Sequence, residues 1–285
     1  MTTPDNTPLT APAGTSSPSP DPSSTAPLAL ITGASSGIGL GLARQFVAHG
    51  YDVVVAAEDA ELDQAAAELR SSGQQVVPVR VDLSTPEGVT ELYLAATQGG
   101  RPVEAVALNA GIGVGGAFHE TDLEADLRLV DLNVRSTVHL GKLVVRDMVA
   151  RGSGKVLVTA SIAAKAPGPY HTTYAASKAF VHSFAEGIRV ELKDLGVTVT
   201  SLMPGPTETE FFERADMEDT KVGATDAKDD ADDVAKDGFE ALMAGKDRVV
   251  AGSLKNRVQA GMASVTPDDK AAAMMQGLTK PGSGE

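Results

Sequence analysis

From Leu28 onward the chain alternates between short apolar runs rich in β-branched residues and longer stretches whose apolar positions recur at helical spacing. The runs are Leu28–Thr32, Asp52–Ala56, Gln75–Val81, Val103–Leu108, Lys155–Thr159, Val197–Leu202 and Arg248–Val250. Each is near-continuously apolar, as expected of strands buried on both faces. The helical stretches fall at about 37–49, 59–71, 86–97, 122–150, 172–194 and 229–244. Asp122, ahead of Leu123 and Glu124, is placed to cap a helix start, and Gly50, Gly73 and Gly196 to end helices. Strands alternating with helices build βαβ units, so the predicted fold is α/β: a doubly wound parallel seven-stranded sheet with helices on both faces. No internal repeat or interior linker divides 28–255, which reads as one domain. The segment 205–228 breaks the alternation. It is long, acidic and marked by Phe211 and Phe212, the profile of a lid.

Composition adds boundaries to this picture. The first 27 residues hold 7 of the 16 prolines, with many Ser, Thr and Ala, and Leu9 is their one large aliphatic residue. Such a stretch buries too little apolar surface to offset chain entropy and is expected to be a disordered tail. It lacks the basic start and apolar run of a secretory signal. No apolar stretch reaches the ~18 residues of a membrane span, so no membrane is expected. Zero Cys excludes disulfides, Cys-based zinc sites and thiol catalysis, and fits a reducing cytoplasm. A net charge of −14 argues against nucleic-acid partners, which need a basic face. Much of that charge is regional: Pro206 to Glu240 carries 13 acidic and 4 basic residues. The Asp-rich 226–233 fits no calcium loop and the five His show no ligand spacing, so no metal is expected. The residues 256–285 carry no signature beyond Ala271–Met275, which suits either a short helix or a frayed tail.

Chemistry enters at the first strand, which runs directly into Thr32-Gly33-Ala34-Ser35-Ser36-Gly37-Ile38-Gly39 and then a helix. Gly33 permits a tight turn, Gly37 lets a pyrophosphate approach the backbone, and Gly39 allows helix to pack on strand. The helix start offers free N–H groups and a positive dipole end to an anion. A second string, Gly111-Ile112-Gly113-Val114-Gly115-Gly116, also matches a nucleotide-turn spacing. Its helix begins only near Asp122, too late to face a phosphate, so it reads as a flexible turn over the cofactor.

Tyr174 and Lys178 stand four apart, on one face of a predicted helix, with Ser161 thirteen residues earlier at the carboxyl end of the fifth strand. Ligands of open α/β sheets bind beyond the carboxyl ends of strands, so strands one and five deliver their motifs to one edge. Here the sequence resembles the short-chain dehydrogenase/reductase family in its compact, Rossmann-like form. The matching features are Thr32–Gly39, Asp82 after the third strand, Asn109-Ala110-Gly111 after the fourth, Asn133, then Ser161, Tyr174, Lys178, Pro204-Gly205 and Thr209. They span about 28–255 in the family's order.

The resemblance implies an NAD(P)-dependent oxidoreductase interconverting a secondary alcohol and a ketone or aldehyde. It makes Tyr174 the general acid/base, its phenolate favoured by Lys178 and the positive nicotinamide. Ser161 orients the substrate oxygen, and the Asn133 side-chain amide holds a water relaying protons from Lys178. Gly33, Ser35, Gly37 and Ile38 line the phosphates, with Ser36 beside them able to bond one. Asp82 accepts from the adenine amine or simply caps its loop. Asn109 supports the sheet edge beside Gly111, while Pro204, Gly205 and Thr209 lie near the carboxamide. His171, within a turn of Tyr174, reads as a pocket residue, and Phe211 and Phe212 as a lid over an apolar substrate. Two alternatives stay open: a catalytically silent nucleotide sensor or scaffold, and a carbon–carbon double-bond reductase. Family members commonly assemble through their long fourth and fifth helices, implying a homodimer or homotetramer. For the cofactor, Glu58 and Asp59 follow the second strand where a 2′-phosphate would lie, and no Arg or Lys occurs between Arg44 and Arg70. Repulsion then leans the choice to NAD.

Overall fold

The computed structural model describes residues 19–253, 261 and 266–284. Seven strands form one parallel sheet: β1 (Leu28–Thr32), β2 (Asp52–Ala57), β3 (Val76–Arg80), β4 (Val103–Leu108), β5 (Gly154–Thr159), β6 (Val197–Met203) and β7 (Arg248–Val250). Their order is β3-β2-β1-β4-β5-β6-β7, so the winding reverses between β1 and β4. Successive strand residues serve opposite faces. Leu28 and Leu30 of β1 join a core with α3 (Pro86–Thr97), α5 (Ser136–Arg151) and α6 (Thr172–Leu192). Ala29 and Ile31 join the opposite core with α1 (Gly37–Ala48), α2 (Glu61–Arg70) and α8 (Ala231–Met243). Burial on both faces is why the strands carry unbroken apolar runs. Pro78 inside β3 is tolerated because β3 is an edge strand, where one side of the ladder needs no N–H.

The single helix expected at 122–150 is α4 (Leu123–Val130), a π-turn (Asp131–Arg135) and α5 in unbroken succession. Asp122 caps it by accepting from the Ala125 N–H. The segment after β6 folds around α7 (Phe211–Arg214), whose Phe212 joins Ala215 and Met217 in a small core of its own. A last helix, α9 (Asp268–Thr279), packs back against this segment. Its Leu278 carbonyl accepts from the Val222 N–H, and Thr279 Oγ1 donates to the Pro169 carbonyl at 2.7 Å.

The expected disordered tail extends too far. Residues 1–18 lie outside the described residues, but the segment ending at Pro27 is tied down. Ser24 Oγ donates to Asp52 at 2.5 Å, and the Arg101 guanidinium donates to the Ala26 and Asp21 carbonyls at 2.5 and 3.3 Å. Buried Arg101 and Asp52 need more acceptors and donors than the sheet supplies, and this polar segment provides them. Composition alone could not show that. No helix among the described residues is long and apolar enough to cross a membrane.

Candidate active site

One cleft of about 310 Å³ runs along the carboxyl edge of the sheet and gathers nearly every residue singled out from sequence. Gly33, Ser35, Ser36, Gly37 and Ile38 line it from the β1 turn, Glu58 and Asp82 from the ends of β2 and β3, Asn109 and Gly111 from β4. Ser161, Tyr174, Lys178, Pro204, Gly205 and Thr209 line its other half. Asn133 is not on its wall but stands directly behind it, against Gly111.

The α1 end of the cleft is built for an anion. Gly39 lies so close to the Gly33 carbonyl that a Cβ there would collide with it, so helix and strand meet as tightly as backbone allows. Ser36 occupies the N-cap position yet makes no side-chain cap bond, and the first turn carries no acidic residue. Its N–H groups therefore face the cleft with no side-chain partner. The helices α3, α4 and α8, by contrast, are each capped by a side chain: Thr85, Asp122 and Asp230. The residues present fit a dinucleotide pyrophosphate at α1.

Asn109 ties three strand ends together. Its amide donates to the Thr32 carbonyl at 3.1 Å, its backbone N–H donates to Thr32 Oγ1, and its Oδ1 accepts from Thr159 Oγ1 at 3.0 Å. Lys178, buried on α6, donates to the Thr159 carbonyl at 2.9 Å, and its Nζ lies 5.8 Å from the Tyr174 ring centroid. Burial lowers the Lys178 ammonium to about 8, so it is still mostly charged at neutral pH. Burial pushes the Tyr174 phenol up to about 12, and the neighbouring Ser161 hydroxyl opposes that shift. Without cofactor, then, desolvation outweighs the nearby cation and Tyr174 is held as the neutral phenol. Ser161 Oγ also accepts from the Ala163 N–H, which leaves the hydroxyl proton free to point outward.

The role expected of the Asn133 amide changes. Both its N–H groups are engaged, one on the Ile112 carbonyl at 2.9 Å and one on Ser177 Oγ at 3.0 Å, while its Oδ1 accepts from the Ile112 N–H. It clamps the loop after β4 to α6, leaving neither N–H for a water. The π-turn points this side chain inward.

The second glycine string packs against the segment around α7. A Cβ at Gly113 would lie 2.6 Å from the Phe211 ring, and one at Gly115 would lie 2.5 Å from Met217. The Gly115 and Gly116 N–H groups donate to the Ala215 and Tyr170 carbonyls, both at 2.8 Å. Both phenylalanines line the cleft: Phe211 lies 5.0 Å from the Tyr174 ring, and Phe212 is buried in the small core with Ala215 and Met217. His171 is buried in the cleft wall 6.0 Å from Tyr174, its ring pushed down to about 4 by burial and its Nδ1 without a hydrogen-bond partner.

Tertiary structure adds two cations to the local charge reading at the β2 end. Arg128 of α4 pairs with Glu58 and, at 3.2 Å, with Asp82, which also accepts from the Ser84 N–H and hydroxyl. Asp59 accepts from Ser35 at 2.9 Å and has Arg214 at 3.7 Å. The compensating cations come from 70 and 155 residues away along the chain, beyond the reach of any local reading. Sequence reasoning also missed Met275, Leu278 and Thr279 of α9 in the cleft wall. Their i, i+3, i+4 spacing was the available signal.

A short chain dehydrogenase family model matches residues 27–220. Among similar chains is an uncharacterized oxidoreductase of Staphylococcus saprophyticus, 34% identical over 217 residues, covering 75% of this chain and 90% of its own. Another is the 1-deoxy-11-beta-hydroxypentalenate dehydrogenase of Streptomyces exfoliatus, 35% identical, covering 77% of this chain and 80% of its own. Among solved structures, a short-chain dehydrogenase from Sphingobium yanoikuyae in complex with NADPH superposes with a TM-score of 0.75 at 29% identity, covering 86% of this chain and 98% of that one. A short chain dehydrogenase/reductase from Burkholderia phymatum in complex with NAD gives 0.71 at 26%, covering 79% and 88%.

Proposed function

The chain belongs to the short-chain dehydrogenase/reductase family and is an NAD(P)-dependent oxidoreductase, and from that premise we propose that it interconverts an uncharged, apolar secondary alcohol and its ketone, with Tyr174 moving the proton. The observation that carries this reading is that Ser161, Tyr174 and Lys178 line one cleft together with the α1 turn, the Lys178 ammonium 5.8 Å from the Tyr174 ring centroid. A bound nicotinamide supplies or accepts the hydride. The residues that would hold the dinucleotide are the Gly33–Gly39 turn at its phosphates, Glu58 and Asp82 at its adenosine, and Lys178, Pro204, Gly205 and Thr209 at its nicotinamide half. Tyr174, kept protonated by burial, gives its proton to the carbonyl oxygen in reduction and takes it back in oxidation. Ser161 donates to the same oxygen, a contact of the kind worth about 10²–10³ in rate. The Lys178 ammonium favours the phenolate left behind.

The composition of the cleft wall supports an apolar substrate. Phe211, Met217, Val222, Met275 and Leu278 make its outer half apolar. The cations lining it are Lys178, turned to Thr159 and Tyr174, and Arg214, paired with Glu210 at 2.6 Å. A carboxylate or phosphate on the substrate would find no unpaired cation among the described residues of that wall. Exposed apolar residues Leu123, Leu127 and Val130 on α4 and Phe180 and Val190 on α6 support assembly as a homodimer or homotetramer. The test is a panel of apolar and carboxylate-bearing ketones with NADH and NADPH. Turnover is expected on the apolar members, falling at least ~10²-fold in Tyr174→Phe with cofactor affinity retained. No turnover on any member, or an unimpaired Tyr174→Phe, overturns the reading and favours a nucleotide sensor.

A further inference from the structure

We propose that Arg128, on α4, decides between the two nicotinamide dinucleotides by binding the adenosine 2′-phosphate; this rests on the dehydrogenase reading above. Glu58 follows the last residue of β2, and Asp82 lies two residues past the end of β3. Those strands pair in parallel, with Ala57 opposite Arg80, so both acids stand at one edge. Both line the cleft beside the α1 turn, which puts them at the adenosine half of a dinucleotide whose pyrophosphate sits on α1. A single guanidinium spans them, one arm on each carboxylate.

Three features fit that guanidinium to a phosphate monoester. First, it is loosely held. The side chains of Arg128, Glu58 and Asp82 are 42, 49 and 36% exposed, so water competes for each pair and nothing buried fixes the present partners. Second, its contacts here are one nitrogen to one oxygen on two separate acids. A phosphate offers three oxygens to the same planar fork and close to two negative charges, the geometry that guanidinium groups match best. Third, the local charge balance requires it. Glu58, Asp59 and Asp82 carry three negative charges, while the ion pairs formed there among the described residues bring in Arg128 and Arg214. Arg214 is shared with Glu210, and the Ser35 hydroxyl already donates to Asp59. Without Arg128 a 2′-phosphate would meet Glu58 and Asp82 uncompensated. The unphosphorylated ribose carries no charge there and needs only an acceptor, which Glu58 supplies with or without Arg128.

The wild type should therefore accept a 2′-phosphate, and lose it with one exposed side chain on a helix outside the β2 turn. Calorimetric titration of the full chain with 2′,5′-ADP and with 5′-AMP tests this without turnover. Arg128→Gln should weaken 2′,5′-ADP by at least ~10-fold, about 1.4 kcal/mol, and 5′-AMP by less than threefold. Arg128→Lys should recover part of the loss, and Glu58→Gln, which frees the guanidinium, should tighten 2′,5′-ADP. The preference of the wild type for 2′,5′-ADP should also shrink as pH falls through about 6, where a phosphate monoester takes up its second proton. Equal effects of Arg128→Gln on both fragments, or a wild type that binds 5′-AMP and gains nothing from the 2′-phosphate, overturns the assignment alone. A wild type that binds neither fragment overturns the dehydrogenase reading with it.

Discussion

Two polar clusters at opposite edges of the sheet, the Asp52–Arg101 pair and the cleft, are built in contrasting ways. At the amino edge Asp52 and Arg101 form a buried pair at 2.9 Å, and their remaining valences are filled. Asp52 accepts from Ser24 Oγ and the Gln75 N–H, and Arg101 donates to the Ala26 and Asp21 carbonyls and Gln75 Oε1. Burial alone would raise the Asp52 carboxyl, yet these hydrogen bonds and the guanidinium hold it below the usual range. At the carboxyl edge several groups are left open. The first turn of α1 has no side-chain cap, Asp59 Oδ1 and His171 Nδ1 are buried without partners, and burial displaces Tyr174 up and Lys178 down. Polar groups that satisfy one another stabilise the fold. Polar groups left unsatisfied beside a cleft are available to a ligand, at a cost in stability.

Breaking the amino-edge pair should give the largest change in stability. Arg101→Ala leaves the Asp52 charge buried without its cation, for an expected loss of about 3–5 kcal/mol in urea unfolding. Turnover per folded molecule should be unchanged, because Arg101 is remote from the cleft. Deleting residues 19–27 removes Ser24 and two carbonyl acceptors and should lower Tm by several degrees. A loss below ~1 kcal/mol for Arg101→Ala would mean that the pair is not a stabilising unit.

The open edge makes a prediction in pH. Burial holds the His171 ring neutral down to about 4, against an ordinary value of 6.5. Between those values the unfolded chain binds a proton that the folded chain refuses, so stability falls as pH drops from about 6.5 to 4. His171→Leu should flatten that part of the stability profile while leaving stability at pH 8 similar or higher, since an orphaned polar atom is removed. An unaltered profile would show that His171 contributes nothing to acid sensitivity.

The same contrast explains what was legible in the sequence. Strands buried on both faces announce themselves as unbroken apolar runs, and the TGASSGIG turn, Ser161, Tyr174 and Lys178 declare their chemistry through type and spacing within two local stretches. What stayed hidden depends on distance along the chain. Arg128 meets Glu58 across 70 residues, and Ser24 meets Asp52 across the first βα unit. Asn133 illustrates a third case. Its identity was readable, but its partners depend on a π-turn that no periodicity distinguishes from an ordinary helix. The α9 wall was obscured because a short helix with small residues carries a weak apolar pattern.

Helix starts offer the finest version of the comparison, because the same position is filled two ways in one molecule. Asp230 caps α8, accepting from the Asp232 and Asp233 N–H groups at 2.8 and 3.1 Å. Asp230→Ala should therefore cost about 1 kcal/mol, the usual loss when a capping acceptor is removed. Ser36 stands at the same position of α1 in the extended conformation suited to a cap, with φ −153°, yet forms no cap bond. Ser36→Ala should then leave the stability of the cofactor-free protein within a few tenths of a kcal/mol, since no bond is lost. Thermal unfolding of both variants checks the pair. If Ser36→Ala costs as much as Asp230→Ala, the α1 N–H groups are capped in solution, and the anion would have to displace that hydroxyl before it could bind.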